Sequence, residues 1–185
     1  MDVLEAIQLR QSIGKVKPDP VSRELIERLL SAAVQAPNHY KVRPWRFVVL
    51  TGAARERLGE VMAEALHHRD PNAAEDVLAK ERAKPLRAPV LIAVGVGKPN
   101  LPKVVEIENV CAAAAATQNL LLAAYALGLA AMWRTGEAVR EPAVKTLLGF
   151  EAEQTIIGFV YAGYALSEPL PPARPSYEDR MVWLD

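Results

Sequence analysis

The chain has 185 residues, a usual length for one domain, and 51% of them are hydrophobic, which supplies a sizeable core. Lys plus Arg (22) equals Asp plus Glu (22), so no net field draws the protein to nucleic acid or an anionic membrane, and any charge-based recognition must be local. A lone cysteine, Cys111, excludes an intrachain disulfide and leaves no CxxC or Cys/His set for zinc or another metal, which suits a reducing cytoplasm.

The opening Met1–Glu5 has neither the basic stretch nor the apolar core of a secretory signal, so the mature chain is expected to start there. From Asp2 to Leu9, the apolar residues Val3, Leu4 and Ile7 predict a short amphipathic helix that ends before Ser12-Ile13-Gly14. A loop with Pro18 and Pro20 follows. Ser22 stands where an N-cap belongs, and Leu25, Ile26, Leu29, Leu30 and Ala33 recur at helical spacing until Ala36-Pro37 stops the run. Arg46 to Thr51 is β-branched and aromatic, is closed by Gly52, and reads as a strand.

Ala53 to His68 predicts a helix with Leu58, Val61, Met62 and Ala65 on one face. The charged segment 70–84 alternates in sign and reads as a solvated helical face or a mobile lid. Ala88 to Gly97 is short and continuously apolar, the pattern of a strand buried on both faces and central in its sheet. Ile107 to Leu127 is a long Ala-rich helix, nearly apolar all round and therefore expected at the heart of the structure, with Gly128 as its C-terminal stop. Thr117, Gln118 and Asn119 interrupt the apolar region Val110–Met132, so it is read as a buried helix and not a membrane span. Leu129 to Trp133 is a short apolar run, Glu141 to Leu148 a small helix, and Thr155 to Ala165 a clear strand. The Pro-rich tail ends in Met181-Val182-Trp183-Leu184, large apolar groups that need a surface to pack on. The pattern predicts a single α+β domain over 1–185: a mixed, mostly antiparallel central sheet of four to five strands wrapped by helices, with neither internal repeats nor a strict βαβ rhythm.

Several chemistries lack their machinery. There is no Gly-x-Ser-x-Gly elbow, no Walker loop, and no Gly-x-Gly-x-x-Gly after a strand, since Lys98-Pro99 follows Gly95-Val96-Gly97. His67 and His68 are adjacent and diverge by about 100 degrees on a helix, so they are not an i, i+4 metal pair. Three polar loops remain. Arg10-Gln11-Ser12 offers a guanidinium, an amide and a hydroxyl, the groups that hold a phosphate or a polyol chain, although Arg also suits a helix C-terminus for its dipole alone. Pro37-Asn38-His39-Tyr40-Lys41-Val42-Arg43-Pro44-Trp45 reads equally as a rigid connector or as a surface for a flat, anionic, aromatic ligand. Trp133-Arg134-Thr135-Gly136 ends an apolar run with a glycine that permits close backbone approach.

In their order, these segments resemble the nitroreductase family of flavoproteins over nearly the whole chain. The family's Arg-Arg-Ser stretch leading to a Pro-Val helix is similar to Arg10-Gln11-Ser12 through Pro20-Val21, and its Ala-Pro-Ser loop closing on Gln-Pro-Trp to Ala36-Pro37-Asn38 through Arg43-Pro44-Trp45. His39 and Trp133-Arg134-Thr135-Gly136 resemble the short bacterial branch whose members are named NAD(P)H nitroreductases. The resemblance implies a cytoplasmic homodimer with two FMN sites at its interface and a C-terminal tail exchanged with the partner. It assigns Arg10, Gln11 and Ser12 to the FMN phosphate and ribityl chain, and Trp133, Arg134, Thr135 and Gly136 to the isoalloxazine. Pro37, Asn38 and His39 would join them, with His39 supplied by the partner. It places the nicotinamide nucleotide, NADH or NADPH, at Ala123, Ala124, Tyr125, Ala126, Leu127 and Gly128.

No protein residue is then expected to be catalytic in its own right, because the cofactor carries the chemistry. The implied reaction is ping-pong hydride transfer to a small nitroaromatic or quinone-like acceptor, without nucleic-acid or membrane partners. Alternatives are a flavoenzyme acting on an enone or haloaromatic, one that consumes its own flavin, or a non-catalytic flavin-binding protein. The sequence departs from the family pattern at Gln11, at Gly14 in place of a basic residue, and at Lys41 and Arg43 in place of Asn and Gln. The added positive charge would favour a reduced flavin anion or a phosphorylated donor.

Overall fold

In the computed structural model, which describes residues 2–99 and 101–184, helices and strands alternate in the order α1 (Val3–Leu9), α2 (Arg23–Ala33), β1 (Trp45–Leu50), α3 (Ala53–Arg69), α4 (Glu75–Ala83), β2 (Val90–Val96), α5 (Glu106–Ala126), β3 (Ala130–Arg134), α6 (Pro142–Leu147) and β4 (Thr155–Gly163). Short 3-10 turns sit at His39–Lys41, Lys84–Arg87, Glu137–Arg140 and Glu178–Arg180. The strands form one sheet in the order β1-β2-β4-β3 with every neighbouring pair antiparallel. The one parallel pairing is an isolated bridge between Ser12 and Ala131, so the expected sheet is realised at its smaller size, four strands.

All seven residues of β2 are buried, which is why its sequence shows no alternation: both faces are covered. Ile92 and Val94 face one layer, built by α2 and α5, while Leu91 and Ala93 face the other, built by α3 and α6. β4 repeats the pattern, with Val160 and Ala162 toward the first layer and Phe159 and Tyr161 toward the second. Local signals start and stop the helices. The Ser22 hydroxyl accepts from Leu25 N at 3.3 Å, capping α2, whose Ile26, Leu29 and Ala33 enter the core. Gly128, at φ +75°, ends α5 by donating to the Tyr125 carbonyl at 3.0 Å, a turn a side chain would strain.

The position of α5 departs from the expectation. Its inner face is buried, with Ala113, Ala116 and Leu120 at 0% exposure, but Cys111 is exposed and Ile107 is 63% exposed. The helix covers one face of the sheet instead of running through the centre, so its apolar outer strip stays open in the single chain. The charged segment 70–84 is largely the solvated face expected, with no residue of α4 buried, but it is packed down and is not a free-standing lid. α4 lies against α3, with Arg82 bonded to Glu60 at 2.7 Å, and continues through the turn Lys84–Arg87 into β2. In the described residues, no helix is long and apolar enough to cross a membrane.

Candidate functional site

The loop after α1 is held against β3 by backbone pairing: Ser12 bridges Ala131, and Ile13 N donates to the Ala131 carbonyl at 3.1 Å. A Cβ on Gly14 would lie 3.3 Å from Met132 Sδ and 3.4 Å from Arg134 Nη2, so the basic residue usual at this position would crowd β3. The first and third polar motifs therefore meet. The C-terminal tail returns to the same corner: Leu166 N donates to the Lys15 carbonyl at 3.1 Å, and the Gln11 side-chain amide donates to the Leu170 carbonyl at 2.6 Å. Gln11 is thus occupied in holding the tail.

The tail also delivers a residue that no sequence motif singles out. Arg174 donates from Nε to the Gln8 carbonyl at 2.8 Å and from Nη2 to the Arg10 carbonyl, beside the Arg10 guanidinium. Burial and the Arg174 charge both push the Arg10 pKa below its ordinary value. Neither arginine forms an ion pair in the described residues. Two cations held together without a carboxylate between them suit a dianion such as a phosphate monoester. Only the long-range return of the tail, 164 residues along the chain, creates this arrangement.

On the far side of Arg134 a cavity of about 420 Å³ opens between β3 and the α3–α4 pair. Arg134, Thr135 and Gly136 line it, as do Glu81, Lys84 and Arg87 from the charged segment. Lys84 pairs with Glu81 across one helical turn. Tyr161 forms part of the floor; burial raises the pKa of its phenol, while Arg87 and Arg134 pull it down and Glu81 adds to the rise. The cavity is of ligand-site size, and its wall sets Arg69, Lys84, Arg87 and Arg134 against Glu81 and Glu137, with Arg87 and Arg134 outside the ion pairs of the described residues. Trp133 points the other way. Its indole packs across β4 at Gly158, where a Cβ would lie 2.1 Å from Trp133 Nε1, and it joins the layer built by α2 and α5. Trp133 Nε1 is buried without a hydrogen-bond partner in the described residues. Its indole lines a core layer, and it is Arg134 onward that faces the cavity.

The second motif does not join this corner. Pro37–Pro44 precedes β1, the edge strand opposite β3, at roughly 14 Å across three strand spacings. Trp45 moreover pairs with Val96 at one end of β2, whereas β3 begins beside Gly163, which lies past the Val90 end. The loop is strained: Tyr40, Lys41 and Arg43 all have φ near +50°, a region that costs a residue with a side chain about 1 kcal/mol or more. Asn38 Oδ1 accepts from Arg43 N at 2.8 Å and fixes the bend. His39 Nε2 stands 3.9 Å from Glu108 in an open hollow of about 420 Å³ at the start of α5, which Pro37, Asn38 and Cys111 also line. Of the segment 123–128, Ala124 is fully buried, and Ala123 and Ala126 line a separate groove with α1 and α2.

Comparison with known proteins matches this architecture. The model of the Nitroreductase family matches residues 7–164. YdjA of Escherichia coli K12, provisionally named an NAD(P)H nitroreductase, is 32% identical over 163 residues, covering 88% of each chain. A crystal structure of a nitroreductase-like family protein from Bacillus cereus has the same fold, with a TM-score of 0.86 and 24% identity over 100% of this chain and 97% of that one. A Desulfovibrio desulfuricans protein, provisionally named a nitroreductase and solved in complex with FMN, gives a TM-score of 0.74 and 27% identity over 100% of this chain and 98% of that one. The chain belongs to the nitroreductase family.

Proposed function

We propose that the protein is an FMN-dependent NAD(P)H oxidoreductase that acts as a homodimer and reduces nitroaromatic or quinone-like acceptors in a ping-pong cycle. One observation carries the reading: the Arg10–Arg174 pair, with no carboxylate partner among the described residues, lies on the loop that Ser12 and Gly14 hold against β3, whose Arg134, Thr135 and Gly136 line the 420 Å³ cavity. A dianionic phosphate suits the first end and a flat heteroaromatic ring the second. Bound there, FMN would supply two-electron redox chemistry between NADH or NADPH and the acceptor.

The protein's own part is to bind and orient. Arg10 and Arg174 hold the phosphate; the Ser12 hydroxyl, on an exposed loop, is available to the ribityl chain; and Arg134 with Lys84 sets a positive field along the ring edge. Gln11, bonded to Leu170, keeps the tail in place. The separation of Pro37–Pro44 from this corner supports a two-chain site in which His39 of the partner subunit faces the ring. Exposed apolar groups support the same assembly: Val3, Leu4 and Ile107 at 63%, and Val182, Trp183 and Leu184 at 79% or more. The last of these form the end of the tail that would cross to the partner.

The purified protein is expected to be yellow, and anaerobic NADPH or NADH should bleach it rapidly, with a nitroaromatic or quinone restoring the colour. Flavin that stays oxidised under donor would make the protein a carrier, and a chain that neither contains nor takes up FMN would end the reading.

A further inference from the structure

We propose that Lys17, Arg55 and Arg87 form an anion subsite beside the ring cavity that takes the phosphomonoester group of a substrate. The three cations line one hollow of about 150 Å³ whose remaining walls, including Val16, Pro18 and Pro89, are apolar. No acidic residue lines it, and none of the three cations forms an ion pair in the described residues. Three positive side chains converging on one hollow without a counter-charge repel one another, and an anion between them removes that repulsion.

The backbone beneath Lys17 and the side chain of Arg55 are held in place. Lys17 N donates to the Tyr164 carbonyl at 2.8 Å, and Pro18 follows it. Arg55 sits in the first turn of α3 and donates from Nη1 to the Ala88 carbonyl at 2.6 Å. Its Nε is buried with no hydrogen-bond partner, a donor that has lost water and gained no acceptor. Arg87 closes the turn Lys84–Arg87 and lines both this hollow and the 420 Å³ cavity. Whole-molecule pockets run to roughly 300–1,000 Å³, so the smaller hollow is sized for a phosphate group and not for a nucleotide.

With the flavin ring in the larger cavity, a substrate ring stacked against it would leave a phosphate within reach of the smaller hollow, since Arg87 lines both. A phosphorylated aromatic acceptor carries ring and phosphate side by side in this way, whereas the 2′-phosphate of NADPH, on the adenosine end of the donor, enters the hollow only with the dinucleotide folded back across the site. Assigning the anion to a substrate of the flavin site rests on the function proposed above, whereas the subsite itself rests on the three side chains.

The test is calorimetric titration of FMN-saturated protein, so that the Arg10–Arg174 cradle is filled, with inorganic phosphate, adenosine 2′-phosphate and adenosine in turn. Phosphate should bind the wild type and bind at least tenfold more weakly to Lys17→Gln and to Arg55→Gln. Lys17→Gln keeps the test informative if losing the Ala88 bond unfolds the Arg55 variant. Adenosine 2′-phosphate binding more tightly than both phosphate and adenosine would identify the donor as the source of the anion; binding no tighter than phosphate would exclude the donor and leave the acceptor. Absence of phosphate binding to the wild type, or equal affinity in Lys17→Gln, overturns the proposal. A chain that takes up no FMN fails the functional reading instead, and phosphate titration of the apoprotein of Arg10→Ala then reads the subsite by itself.

Discussion

The corner formed by Arg10–Gly14, β3 and the tail contrasts with the loop Pro37–Pro44 at the opposite edge of the sheet. The first is knit by backbone pairing to the edge strand β3, and its distinguishing feature is electrostatic: two arginines without a carboxylate partner in the described residues. The second has three left-handed residues within four positions and an exposed histidine, so its distinguishing feature is structural. The contrast teaches that polar loops of one chain can be positioned in two ways, one by pairing to the sheet and one by a strained bend. Strain of this kind persists only where the surroundings impose it, and it gathers at functional sites.

The comparison breaks most visibly at Gly158, the support of the paired corner. Gly158→Val should destabilise the fold by about 3 kcal/mol in urea denaturation, because the Trp133 indole occupies the space a side chain needs. A wild-type midpoint in that variant would show that the indole is not lodged there. Next in size, Arg10→Ala should weaken FMN binding by about 2 kcal/mol, read from the dissociation constant by fluorescence, with Arg174→Ala falling in the same range. If only one of the two weakens binding, the paired cradle is wrong.

The strained loop is sharpened by Lys41→Gly, which should raise stability by about 1 kcal/mol in thermal melts, since glycine adopts φ +54° without a steric cost. A loss of stability would mean that the Lys41 side chain contributes more than its backbone costs. The smallest effect lies in alkali. Burial raises the folded-state pKa of Tyr161, so the unfolded chain releases that proton first; the contribution is complete below pH 10.0 and is lost as pH rises through the folded pKa. Tyr161→Phe should flatten that part of the stability profile, and an unchanged alkaline slope would assign it to other groups.

Much of the fold is legible in short stretches of sequence. Ser22 and the spacing of Ile26, Leu29 and Ala33 specify α2, and the unbroken apolar run 90–96 specifies a central strand, because caps and burial periodicity act within a few residues. The site is only half legible. A local motif singles out Arg10 and Ser12, but the partner of Gln11 is Leu170, 159 residues away, and Arg174 has no local signature. Glu81, Lys84 and Arg87 look like a solvated charge run until α4 turns into β2 and brings them into the cavity wall. In Trp133-Arg134 the sequence signals a functional segment, yet strand alternation sends the indole to the core and the guanidinium to the cavity, and only the pairing with β4 fixes which is which.

The sequence by itself therefore determined the elements, their order, the buried strand and the residue types at the site, since each follows from propensity and periodicity along neighbouring residues. The tertiary structure decided which of those residues share a space: Arg10 with Arg174, Arg134 with Lys84, and neither with His39. Those pairings depend on how the sheet orders β1-β2-β4-β3 and where the tail returns, and closing such distant contacts is a property of the whole packed chain, not of any window within it.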